Sequence, residues 1–129
     1  MITHAPWIVA ALIAGFGAIG IASAQGHDRG KDEYMRSCES CHGISGKGNG
    51  PAGKHLAKPP ADLTRLSQSN GGVFPFVRVF EVIDGRLDVA LHGPREMPVW
   101  ADRYKQMGDV LARRRILQVI EYISTLQGK

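Results

Sequence analysis

The only two cysteines of this chain stand in one five-residue run, Cys38-Glu39-Ser40-Cys41-His42. No other feature restricts the fold as much, because each common use of a cysteine pair makes its own demand. A disulfide between residues three apart closes a tiny loop and stabilises little. A structural zinc needs two more ligands at recognisable spacing, and no second cysteine pair is present. A thioredoxin-like redox pair needs a strand–helix context that the surrounding sequence lacks. What remains is Cys-x-x-Cys-His as an attachment site for c-type haem. Two thiols at this spacing, at the end of a helix, reach two vinyl groups on neighbouring edges of one porphyrin. The adjacent His42 then lies under the iron as an axial nitrogen ligand.

The compartment follows from the leader. Met1 to Ala24 contains no Asp, Glu, Lys or Arg, and Pro6 to Ala22 is almost wholly apolar residues and Gly. The stretch closes on Ala22-Ser23-Ala24, a small-x-small pattern ahead of Gln25, as at a signal-peptidase site. Residues 1–24 are therefore expected to be a signal peptide, removed on export to the periplasm. The basic start usual in such leaders is missing, leaving the α-amino group and His4 to supply positive charge. The alternative is an uncleaved anchor, although the apolar run falls just short of a comfortable span. Membrane contact is expected only in that case.

The remainder, 25–129, is the size of one small domain and carries every charged residue, so the net charge of +4 belongs to it. A domain this small often needs a staple or cofactor to stabilise its core. Lys31 to about Glu39 predicts a helix, with Gly30, Tyr34 and Cys38 at four-residue intervals. Glycines punctuate the loop from Gly43 to Gly53. After Pro59-Pro60, Asp62 predicts a cap on a short helix from Leu63 to about Gln68, broken by Asn70-Gly71-Gly72. Phe76, Val79, Phe80 and Ile83 have the spacing of an amphipathic helix stopped by Gly85, and read as pocket wall and core. His92 to Trp100 holds Gly93, Pro94 and Pro98 and is expected to be extended or turned. Asp109 predicts a cap on a last helix to about Gln127, with Ile116, Val119, Ile120, Ile123 and Leu126 on one face. With no persuasive strand pattern, the fold class is all-α.

These residues resemble the mono-haem class I cytochrome c family over nearly all of 25–129. The motif lies near the start of that part, as in the family, and not near the C-terminus as in the four-helix cytochromes c-prime. Gly30-x-x-x-Tyr34-x-x-x-Cys38 is similar to the family's first helix, where a Gly admits close crossing by the last helix. Val119-Ile120-Glu121-Tyr122-Ile123 supplies the partner, with Tyr122 at the aromatic position that covers the crossing. The resemblance implies three to five helices around one covalently bound haem c. It also implies that the glycines from Gly43 to Gly53 follow the porphyrin edge. Pro51, nine residues after His42, matches a family position whose carbonyl accepts a hydrogen bond from the ligand His ring and so raises its basicity.

For the second axial ligand the candidates are Met35, Met97, Met107, His27, His55 and His92. Met35 shares the attachment helix and cannot easily cross the ring; His27 sits in a loose tail; Met107 lies too near the last helix. Met97 precedes Pro98, which holds it out of helical conformation, and Glu96-Met97-Pro98-Val99-Trp100 resembles the family's Met-Pro signature. Met/His ligation raises the reduction potential, as suits a carrier. His92 is the competing ligand, with Met97 then an ordinary core methionine. Trp100 either stacks by the haem, offers its indole N–H to a propionate, or packs in the core. Arg113-Arg114-Arg115 reads first as a solvated helix face and second as a steering patch for acidic redox partners.

The expected function is one-electron transfer between redox proteins, with both axial positions filled and no catalysis by the chain itself. No nucleic-acid partner is expected. Two alternatives stay open: a cytochrome subunit of a periplasmic dehydrogenase or oxidase, and a haem sensor or peroxidase-like protein with an open sixth position.

Overall fold

A computed structural model describes residues 19–87 and 97–128. The leader before Ile19 and the candidate ligand His92 lie outside the described residues. Among those described there are five α-helices and no strand: α1 (Ile19–Ser37), α2 (Glu39–His42), α3 (Phe76–Asp84), α4 (Trp100–Tyr104) and α5 (Asp109–Thr125). Short 3-10 helices at Ala52–His55, Leu63–Arg65, Gln68–Asn70 and Lys105–Met107 punctuate the connections. No helix among the described residues is long and apolar enough to cross a membrane.

The frame is the crossing of α1 and α5. A Cβ built on Gly30 would overlap the Gln118 carbonyl oxygen and come within 3.2 Å of Tyr122 Cβ. The missing side chain therefore lets the two backbones touch, as the spacing predicts. One turn further along α1, the Tyr34 ring meets the Tyr122 ring at 5.2 Å between centroids, tilted by 55°, a favourable aromatic geometry. The predicted apolar positions Ile116, Val119, Ile120 and Ile123 on α5 are all buried, as is Leu126 at its C-cap. Ile116 and Ile120 are wholly so, each contributing about 1.5–3 kcal/mol by transfer from water.

Several boundaries differ from expectation. Helix α1 extends from Lys31 back to Ile19, the first described residue, because nothing between them breaks a helix except single glycines, which a helix tolerates at a cost. Asp62 does cap, accepting from Thr64 N at 2.9 Å, but the turn it starts is a 3-10 helix ending at Arg65. At α5 the cap position falls to Gly108, and Asp109 becomes the first helical residue. There its charge still complements the positive end of the helix dipole. Met97 to Val99 is non-helical, yet Trp100 opens α4, a helix too short for periodicity to reveal. On α3, Ile83 is buried, whereas Phe76 is 47% exposed and joins neither wall nor core.

Candidate functional site

The Cys-x-x-Cys-His run lies where α1 gives way to α2. Cys38 is the turn between them, and its carbonyl receives the N–H groups of Cys41 (3.2 Å) and His42 (2.9 Å). The following loop then folds back on this turn. Gly48 N donates to His42 O at 2.8 Å, Gly50 N to Cys41 O at 3.0 Å, and Tyr34 Oη to Gly43 O at 2.7 Å. A Cβ on Gly50 would strike the Ser40 carbonyl oxygen and stand 2.6 Å from the Cys41 carbonyl carbon. A Cβ on Gly53 would likewise stand 2.9 Å from the Cys41 carbonyl oxygen, so these two glycines let the loop backbone pack against the motif's own backbone.

The adjoining cavity measures about 370 Å³ and is the site's main feature. Cys38, His42 and Met97 all line it, although Met97 stands 55 positions from His42. Its remaining walls are mainly apolar: Leu63 and Leu66 from one side, Val79, Val82 and Ile83 of α3, and Ile123 of α5. Ser69, Asn70 and Arg78 are its polar members, Arg78 the one charged side chain among them. Cys41 is half-buried in α2 and is not among the lining residues. The two cysteines are not joined to each other.

The His42 ring is oriented by a residue of the cavity's own wall, Ala61. Its Nδ1 lies 3.0 Å from the Ala61 carbonyl oxygen. A carbonyl only accepts, so Nδ1 carries the proton and Nε2 keeps its lone pair. Burial holds the imidazole below the usual histidine range, while the Ala61 bond acts in the opposite sense. Both observations suit a neutral nitrogen ligand. The acceptor corrects the assignment of this role to Pro51, which is exposed. The Pro59-Pro60-Ala61 stretch brings a carbonyl to the ring instead. Burial, followed by the charges of Glu33 and Cys41, pushes the Cys38 thiol up to about 12. It is a neutral sulfur on an apolar wall.

Trp100 does not line the cavity. It is buried in the core, stacked on Tyr104 at 6.3 Å between centroids, with the Arg103 guanidinium over its outer face at 5.3 Å. Core packing, one of its three readings, describes these surroundings. A carboxylate absent from the sequence-derived site stands close by. Glu33 is only 8% exposed. It accepts from Ser37 Oγ at 2.7 Å and Tyr104 Oη at 2.6 Å, and faces Arg115 Nη1 at 3.7 Å.

The residues present fit a haem. A mainly apolar slot with an imidazole, a thiol and a thioether on its walls, and Arg78 as the one charged side chain among the described lining residues, suits a flat apolar macrocycle bearing carboxylates. Residues 25–123 match the sequence profile of a family described as cytochrome c oxidase, cbb3-type, subunit III. Comparison with curated proteins and with solved structures gave no match.

Proposed function

The chain belongs to the cbb3-type cytochrome c oxidase subunit III family, whose cytochrome c domain is a haem-based electron-transfer module and not catalytic by itself, and from this we propose a periplasmic one-electron carrier with a single haem attached through Cys38 and Cys41 and ligated by His42 and Met97. The observation that carries the ligation is the shared cavity: Cys38, His42 and Met97 reach one apolar space from distant parts of the chain. When bound, haem iron supplies the chemistry by cycling between ferric and ferrous states. The chain supplies the rest. Ala61 fixes the His42 tautomer, leaving Nε2 as the electron-pair donor. Pro98 holds Met97 out of helix, so that its thioether stands on the cavity wall. Leu63, Val79 and Ile83 would keep water from the ligands, and Arg78 would pair with a carboxylate of the bound group.

Export rests on the charge-free leader and on Ala22-Ser23-Ala24, and the family match beginning at Gln25 supports the same boundary. The family's description favours a second reading, in which the chain works as the cytochrome subunit of an oxidase or dehydrogenase complex. Its haem site would be the same. Co-purification with a membrane complex, against recovery as a free protein, separates the two.

The ligation is tested by paired substitutions in the haem-loaded protein. Met97→Ala is expected to open the sixth position, lower the potential and admit carbon monoxide, because the thioether favours ferrous iron. The ferric absorption band expected of sulfur ligation near the red end of the spectrum is lost with it. His92→Ala is expected to leave the spectrum nearly unchanged. The reverse pattern reassigns the ligand to His92. Wild-type protein that binds carbon monoxide rapidly, with neither substitution mattering, indicates the open site of a sensor or peroxidase-like protein.

A further inference from the structure

The inward face of α1 carries Gly30, Glu33, Tyr34 and Ser37, all buried. Three of the four suit a helix crossing; a carboxylate does not. Burying a carboxylate is costly unless hydrogen bonds and opposite charge compensate it, and here the compensation is assembled from three helices. Ser37 on α1 and Tyr104 on α4 both donate to Oε1, and Arg115 on α5 faces Oε2. Arg36, one turn along α1, adds a further positive charge. Burial pushes the Glu33 carboxyl up, but the Tyr104 and Ser37 bonds and the two arginines outweigh it and hold the group below the ordinary carboxylate range. Glu33 is thus an anion at neutral pH. Ser37 is the residue before Cys38, and the carboxylate's charge reaches the Cys38 sulfur on the cavity wall.

We propose that Glu33 is a potential-setting residue, whose buried negative charge beside the Cys38 edge of the cavity favours the oxidised state of the bound haem. This rests on the electron-transfer reading above. Reduction brings one electron from an external one-electron donor and makes the site one unit more negative. A fixed anion nearby opposes that, and low-dielectric surroundings screen it less than water would. No bond to Glu33 forms or breaks. Near the carboxyl's own titration range, a proton from solvent accompanies the electron, because the reduced site makes the carboxylate easier to protonate. The groups that face Glu33 are Arg36, Ser37 and Cys38 on its own segment, Tyr104 on α4 and Arg115 on α5. The arginines moderate its effect, Arg115 only partly because its side chain is one-third exposed.

The test is a spectroelectrochemical titration of the haem-loaded protein from the carboxylate range to neutral pH. In wild type the midpoint potential is expected to fall as pH rises through the Glu33 range and then level off. Glu33→Gln is expected to raise the neutral-pH potential and abolish that step while leaving the ligand spectrum unchanged. Tyr104→Phe keeps the charge but removes a donor, so the step is expected to move to higher pH. Should Glu33→Gln not fold, the Tyr104→Phe displacement decides alone. A reversible couple whose potential and pH profile ignore these substitutions overturns the proposal and leaves the electron-transfer reading standing. Absence of any reversible one-electron couple in wild type overturns both.

Discussion

Tyr34 joins the helix crossing to the ligand-bearing turn. Its ring leans on Tyr122, and its hydroxyl reaches past the motif to the carbonyl of Gly43, next to His42. Burial raises the phenol pKa, so it remains a donor throughout ordinary pH. Tyr34→Phe is expected to cost about 1 kcal/mol, the net worth of a typical hydrogen bond. A larger loss is not expected, because Gly46 N also donates to Gly43 O at 3.0 Å and keeps that acceptor satisfied. Guanidinium unfolding of the haem-loaded protein measures it, and the spectrum should not change because Ala61, not Tyr34, holds the His42 ring. At this scale the sequence pointed to Cys38 and His42 because haem attachment demands a fixed spacing, and to Met97 because Pro98 marks its conformation; all three line the one cavity. Ala61 was not legible, since it acts through a backbone carbonyl that any residue possesses. Glu33 drew no reading from the sequence, because its partner Tyr104 lies 71 positions away.

The crossing of α1 and α5 was readable from Gly30, Tyr34, Cys38 and Tyr122, and the contact at Gly30 makes a prediction opposite to intrinsic propensity. In an exposed helix interior, Gly→Ala stabilises by about 1 kcal/mol. At Gly30 the new methyl meets the Gln118 carbonyl of a neighbouring helix. Overpacking of this kind typically costs about 1–3 kcal/mol. Gly30→Ala is therefore expected to lower the melting temperature, and Gly30→Val to lower it further; an Ala variant that melts higher than wild type refutes the close crossing. The start of α1 at Ile19 and the brief α4 escaped the reading for separate reasons. An apolar run to Ala24 passes directly into the polar stretch Gln25 to Gly30 with no apolar face to mark a helix, and α4 is too short to display one.

The whole molecule has one interior serving two purposes. Ile83 and Ile123 belong to the hydrophobic core and also line the cavity, so the space for the cofactor continues into the packing that holds α3 against α5. A domain this small gains from a group that fills such a space. The central claim is that this group is one haem, joined to the chain by Cys38 and Cys41. Intact-mass measurement of the native protein under denaturing conditions tests it most directly. The expected mass is that of the chain from Gln25 plus one haem. A bare chain, with haem released into acidified organic solvent, contradicts the claim.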